Sequence, residues 1–430
     1  MNQRKLAESV LTKVEKDKAY ANITLSGLLG DQKNDNAFVS ALVYGVLERK
    51  LTLDAIINKY SSRRIRDIDI RILNCLRIAV YQMVYMDKVP NYSAIDESVE
   101  LAKSIGGKKQ AGFVNAILRA AANDKNISKI SFRDEMMGIS RAYSVSVDIV
   151  KLLCKQYGIE GAKSYLKTTF GRPPVTVRVN TLKCSNTELT DRLLNEGVCV
   201  AKNNECENAL NISDFGDITS LNAFQQGLFH VQDAASQICA NALGAIKGDK
   251  ILDMCAAPGG KTFTVVENMQ NVGSIVSCDI HPHRVKLIED GAKRLGLSIV
   301  SAIVNDASVY DADLGKFDRV LCDVPCSGTG VIRRKPEIRY KNLDDISQLA
   351  PIQMQILETA SRYVKKGGIL LYSTCSVLDI ENGDITSAFL ERHPEFELTL
   401  LFQQDEICQK TFLPNVDNTD GFYICKFLRK

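Results

Sequence analysis

Five short apolar runs in the second half of the chain restrict its fold more than any other feature. They are KILDMC (250–255), SIVSCD (274–279), VSAIVND (300–306), FDRVLCDV (317–324) and GILLYSTC (368–375). All are rich in Val, Ile and Leu, each ends in a small or acidic residue, and helical stretches lie between them. Apolar strands alternating with helices predict a parallel sheet with helices on both faces. In such sheets the functional groups gather at the carboxyl ends of the strands.

The 430 residues allow two or three domains at roughly 150 residues each. Residues 1–140 read as nearly all helix. Val39, Leu42, Val43, Val46 and Leu47 recur at helical spacing, as do Ile72, Leu76, Ala79, Val80 and Met83. A helix is predicted from Ser93, capped with Asp96, to a stop at Gly106-Gly107. Residues 141–235 predict a small α+β module, with Val175, Val177 and Val179 alternating in a strand. Residues 236–430 predict the α/β domain. No apolar run is long enough to span a bilayer, and the polar start MNQRKLAESV lacks a signal core. A soluble cytoplasmic protein is expected. Thirteen cysteines without C-x-x-C pairs or zinc spacing read mostly as reduced core thiols, with no metal. Net charge is +3 overall, but residues 1–140 hold 22 Lys and Arg against 16 Asp and Glu. That basic front end points to an anionic partner.

The first strand leads into ILDMCAAPGGKT (251–262), a glycine loop opening a helix. Small residues let a ligand approach the backbone, and the helix start offers unpaired N–H groups. A phosphate-binding P-loop fails, because Cys255 stands where its first glycine is required. The G-x-G-x-x-G fingerprint is absent as well. An adenosyl cofactor remains. Asp279, about 20 residues on, suits ribose hydroxyls, and Asn305-Asp306 suits an exocyclic amine. Any one of these acids could be a helix cap; three at successive strand ends read as a ligand set.

The fourth strand delivers Asp323, Pro325 and Cys326, and the fifth delivers Cys375. If those strands are neighbours, both thiols face one cleft. A free thiol is only ~3% ionised at pH 7, and Arg333, Arg334 and Lys335 are nearby candidates to raise that fraction. An adenosyl methyl donor, a thiolate and a carboxylate together suit methylation of carbon 5 of a pyrimidine. The thiolate adds at carbon 6, making carbon 5 nucleophilic, and an acid near ring nitrogen 3 stabilises the charge that develops. The residues alone do not rank the two sulfurs.

DMCAAPGGKT, DVPCSGTG and YSTCS together resemble the RNA cytosine-C5 methyltransferase family, and DGFYICKFLRK resembles its last strand. IDESVELAK and FVNAILR resemble the RNA-binding fold of the antitermination protein NusB, and RVNT with VQD is similar to the family's small RNA-recognition-like module. The resemblance implies an all-α NusB-like domain, that α+β module, and a Rossmann-like class I methyltransferase domain. It implies the bacterial small-subunit rRNA branch of the family, whose usual target is the cytosine conventionally numbered 967 in 16S rRNA. Cys255, Ala256, Ala257, Pro258, Gly259, Gly260 and Lys261 would form the S-adenosylmethionine loop. Asp279, Asp306 and Asp323 would meet the cofactor or the cofactor–base boundary. Cys375 would be the nucleophile, and Cys326 would assist release of methylated RNA. The expected partner is RNA, as naked 16S rRNA or an early assembly particle, bound by a monomer. The target cytosine must be unpaired or flipped out. The front domain, Arg333–Lys335 and Arg178 are candidates to grip phosphates. A tRNA cytosine-C5 methyltransferase and a non-catalytic RNA-binding or antitermination factor are the alternatives.

Overall fold

The computed structural model describes residues 2–17, 19, 21–29, 36–404 and 406–430. The chain forms two compact units, Met1–Phe170 with Ile332–Asn342, and Gly171–Val331 with Leu343–Lys430.

The first unit is helical. Its helices are α1 (Gln3–Asp17), α2 (Ala21–Leu29), α3 (Asn36–Tyr60), α4 (Ile70–Tyr85), α5 (Asn91–Ala122), α6 (Glu135–Tyr143) and α7 (Val147–Lys167). The predicted stripes on α3 and α4 are buried, except that Met83 is only partly covered. Asp69 caps α4 by accepting from the N–H groups of Arg71 and Ile72. The Ser93 cap does not form, because α5 starts two residues earlier, directly after Pro90. The stop foreseen at Gly106-Gly107 is a kink at Gly107 (φ 74°), beyond which the helix resumes to Ala122. This compact unit extends through Phe170, and α7 buries Ile149, Leu153, Ala162 and Leu166.

Residues 332–342 also belong to the helical unit. Arg339 is fully buried there. Its guanidinium donates to the carbonyls of Tyr143 and Thr169 and lies 4.6 Å from the Phe170 ring centroid. Ser146 Oγ donates to the Lys341 carbonyl at 2.6 Å. Arg333, Arg334 and Lys335 lie in this segment.

The second unit holds two sheets. The small antiparallel sheet has β1 (Val175–Val179), β2 (Cys199–Lys202), β3 (Ala209–Ser213) and β4 (Phe229–Val231) in the order β2-β3-β1-β4. Val177, Val179, Leu189, Leu193 and Phe229 form its core. The large sheet has β5 (Lys250–Asp253), β6 (Ser274–Asp279), β7 (Val300–Val304), β8 (Phe317–Asp323), β9 (Val364–Thr374), β10 (Phe396–Leu398), β11 (Gln409–Phe412) and β12 (Phe422–Arg429). Its order is β10-β12-β9-β8-β5-β6-β7, with β11 paired to β12. Strands β5 to β9 run parallel, and β12 runs antiparallel beside β9. Alternate residues enter separate cores: Leu321 and Leu371 pack in one, Val320 and Leu370 in the other. The chain turns from β5 toward β6 on one side and reaches β8 and β9 on the other. The crevice between the ends of β5 and β8 is therefore the topological switch point.

The two sheets are joined through Arg178. This residue was a candidate phosphate grip, and the structure corrects that. Arg178 is 2% exposed. Its Nε donates to Glu267 Oε2 at 2.7 Å, and Nη2 donates to Asn268 Oδ1 at 3.2 Å. β1 alternates, but here the side chain turned away from its own core meets the helix Gly260–Asn268 instead of solvent. All thirteen cysteines are free thiols, six of them buried. Among the described residues no helix is long and apolar enough to cross a membrane.

Candidate active site

Strand β5 is anchored by Ile251 and Leu252, both fully buried. At its end the chain makes a tight loop that includes a cis Ala257–Pro258 bond. Gly259 adopts φ +108°, and a Cβ there would run into the Phe263 ring. Only glycine suits that position. The helix Gly260–Asn268 follows at once. A cavity of about 180 Å³ lies over this loop, lined by Cys255, Ala256, Ala257, Pro258, Gly260 and Lys261, by Asp253 and Asp323 at the strand ends, and by Gln232 from the small module. Asp253 is fully buried. Its Oδ2 accepts from Thr262 Oγ1 at 2.7 Å, while Oδ1 has no hydrogen-bond partner among the described residues. Burial, opposed by the Thr262 bond, pushes its pKa up to about 7. Burial also holds the Cys255 thiol well above its ordinary pKa, so this sulfur stays protonated.

Asp279 and Asp306 stand at and just past the ends of β6 and β7, outside that lining. Asp279 Oδ1 accepts from the His281 N–H at 3.0 Å, and its Oδ2 pairs with Arg284 at 3.0 Å. Arg284 also donates to the Ala257 carbonyl at 2.8 Å, which ties Asp279 to the glycine loop. Asp306 is exposed, and its Oδ1 accepts from the N–H and hydroxyl of Ser308. Both acids thus do the work of turn caps, whatever else they bind.

The two thiols meet. β8 and β9 are parallel neighbours with Asp323 opposite Ser373, so the segments leaving them run side by side. Cys326 Sγ lies 3.1 Å from Cys375 Sγ. Both residues are half-buried, neither sealed in a core. The Gly330 N–H donates to the Cys375 carbonyl at 2.9 Å, and the Gly421 N–H donates to the Gly330 carbonyl at 2.9 Å. A Cβ on Gly330 would collide with the Gly421 carbonyl. The hydrogen bond with Cys375 and then burial hold the Cys326 thiol well above its usual pKa.

A carboxylate and an ammonium line the cavity as a pair. Lys261 Nζ donates to Asp323 Oδ2 at 2.7 Å, and Ser373 Oγ donates to Asp323 Oδ1 at 2.8 Å. Burial opposes the charge on Lys261, but Asp323, with the Cys239 and Cys375 sulfurs, keeps its pKa raised. Lys261 is the charged partner of Asp323 in the cavity wall.

Two features escaped the sequence reading. Glu381 is fully buried. It accepts from the Ser327 N–H at 2.7 Å, from the Ser327 hydroxyl and from Gln353 Nε2, and so clamps the residue after Cys326. Gln353 also donates to the Pro325 carbonyl at 2.9 Å. Gln232 appeared only within VQD. No local pattern marks either residue; the contacts are made across 54 and 28 residues in one case and 32 in the other.

Residues 240–428 match the family described as 16S rRNA methyltransferase RsmB/F, residues 1–123 match the NusB family, and residues 149–219 match the ferredoxin-like domain of RsmF/B-like methyltransferases. These three parts define an rRNA methyltransferase. The probable ribosomal RNA small subunit methyltransferase B of Bacillus subtilis is 36% identical over 445 residues, covering 99% of this chain and 98% of that one. The ribosomal RNA small subunit methyltransferase B of Citrobacter koseri is 31% identical over 437 residues, covering 100% and 99%. The crystal structure of PH0851 superposes with a TM-score of 0.83 at 24% identity, covering 99% of each chain, which shows a shared fold. The chain belongs to the RsmB/F family of 16S rRNA methyltransferases, and the non-catalytic alternative is set aside.

Proposed function

We propose that this rRNA methyltransferase uses S-adenosylmethionine to methylate carbon 5 of a cytosine in 16S rRNA, the one conventionally numbered 967, through a covalent bond between Cys375 and ring carbon 6. The observation carrying this reading is the 3.1 Å contact between the two sulfurs, beside the Lys261–Asp323 pair that borders the cavity. Methylation of a nitrogen or oxygen needs no thiol.

The cavity suits the cofactor. Asp253 Oδ1 and Gln232 Nε2 are buried polar atoms without partners among the described residues, and the helix starting at Gly260 adds backbone N–H groups. The loop Cys255–Lys261, with Asp279, Asp306 and Asp323, would hold it. When bound, S-adenosylmethionine supplies an electrophilic methyl group.

The chain's own residues prepare the base. Cys375 loses its proton under the field of Lys261 and its sulfur bonds to carbon 6. The ring electrons move toward nitrogen 3, which takes up that proton by way of Asp323. Carbon 5 is now nucleophilic. After methylation a base removes the carbon-5 proton, the carbon–sulfur bond breaks, and Cys375 leaves as a thiolate while nitrogen 3 gives its proton back. Cys326, in contact with Cys375, serves this release.

The test is methyl mapping by bisulfite sequencing of rRNA and tRNA from cells lacking the gene, complemented with wild type or Cys375→Ala. A single rRNA cytosine should lose its methyl group and regain it only with wild type. Restoration by Cys375→Ala, or a lost mark confined to tRNA, contradicts the proposal.

A further inference from the structure

Gln232 directly follows β4 of the small module. Its N–H continues the strand by donating to the Thr176 carbonyl at 3.1 Å. The side chain is 6% exposed and forms part of the wall of the cavity over the glycine loop.

Its carboxamide orientation is determined by its neighbours. Thr264 Oγ1 lies 2.6 Å from Oε1. That is the length of an O–H···O bond, shorter than N–H···O bonds commonly are, so the oxygen faces Thr264. His230 Nε2 lies 3.1 Å from the same oxygen. Burial and then the Arg178 charge press the His230 pKa down to about 3, leaving a neutral ring with one N–H to give. Thr264 thus donates to Oε1, and His230 Nε2 lies within hydrogen-bond distance of the same atom. The Nε2 end is turned the other way and has no hydrogen-bond partner among the described residues. It sits 3.7 Å from where a Cβ on Gly260 would be, next to the first residue of a nine-residue helix.

A buried amide donor without an acceptor is costly unless something fills the need. Here it stands beside a helix N-terminus, where an anion is favoured. Across the cavity Asp253 Oδ1 offers an unpaired acceptor suited to a cation. A donor cluster opposite an acceptor fits the two ends of an α-amino acid.

We propose that Gln232 is a ligand-binding residue of the cofactor site, its Nε2 donating to the carboxylate of the amino-acid tail of an adenosyl ligand while Asp253 receives the ammonium. The inference rests on the cofactor reading above. It gives the small antiparallel sheet a part in cofactor recognition, so the site is incomplete without residues upstream of 236.

Calorimetric titration of the full-length protein provides the test. S-adenosylhomocysteine carries the amino-acid tail; 5′-methylthioadenosine does not. Gln232→Glu keeps the oxygen that serves Thr264 and His230 and replaces only the donor. It should weaken S-adenosylhomocysteine about ten- to a hundredfold, the worth of one hydrogen bond to a charged group, and leave 5′-methylthioadenosine unchanged. Gln232→Ala should do the same to a smaller extent. Equal losses for both ligands, or none for either, would overturn the proposal. Failure of wild type to bind either compound would instead remove the cofactor reading itself, and the role of Gln232 with it.

Discussion

Replacing Arg178 with Met separates a structural cation from an RNA contact. In the folded protein the guanidinium is 2% exposed and Glu267 is 3% exposed, and the two are joined at 2.7 Å. Removing one member of such a pair leaves a buried charge uncompensated, at a cost of about 3–5 kcal/mol. At roughly 2–4 °C per kcal/mol for a unit of this size, the midpoint should fall by about 10 °C. The pH dependence has a definite sign. Burial already lifts the Glu267 pKa to about 7, with Arg178 pulling it down. Without Arg178 it rises further, so Glu267 is neutral below pH 7 and costly when forced to ionise above it. The loss in Arg178→Met should therefore be smaller at pH 6 than at pH 8. Adding Glu267→Gln should recover most of it at pH 8. Thermal unfolding followed by circular dichroism is the assay, since the chain has no Trp. If Arg178→Met unfolds like wild type while RNA binding weakens and its logarithmic salt slope drops by about 0.7–0.9, Arg178 is a phosphate contact and the reasoning fails.

Glu381→Gln places an amide against the Ser327 N–H and the Gln353 amide; we expect a loss of about 1–3 kcal/mol and at least a tenfold fall in methyl transfer, with S-adenosylhomocysteine affinity, measured by calorimetry, unchanged. Gly330→Ala puts a methyl group into the Gly421 carbonyl; overpacking of about 1–3 kcal/mol should appear in unfolding midpoints, together with lost activity, because the same contact sets the Cys375 carbonyl. Asp253, with a pKa of about 7 when the cavity is free, must ionise to take an ammonium, so S-adenosylhomocysteine affinity should fall by up to tenfold per pH unit as pH drops below 7. Asp253→Asn should flatten that profile. It should also stop the free protein from losing stability as pH rises through 7, because a carboxyl with a raised folded pKa favours the fold only while protonated.

The parallel sheet, the glycine loop and the two thiols were legible because each is written in neighbouring residues. Apolar runs of strand length define β5 to β9, and Cys255 in place of a glycine excluded a P-loop. What was not legible depends on which strands become neighbours. The residues alone could not say that β8 lies against β9, and that adjacency alone brings residues 326 and 375 together. The same holds for Lys261, which reads locally as a loop residue but pairs across 62 positions with Asp323. Arg178 misled because strand alternation says which side chains leave a sheet's own core, not whether solvent or another element receives them. The segment 332–342 shows the same limit: it follows Cys326 in the chain, yet it folds with the helical unit, anchored by Arg339. The Ser93 cap failed because Pro90 already starts α5.

The central claim is that Cys375 attacks the base and Cys326 releases it. Incubating Cys326→Ala with 16S rRNA and S-adenosylmethionine, digesting the protein and RNA, and sequencing the cross-linked peptide by mass spectrometry addresses it directly. A methylated cytidine nucleotide attached to the sulfur of residue 375 is the predicted result. A nucleotide bound at any other residue, or a methylated product that forms normally without passing through an adduct, would contradict it.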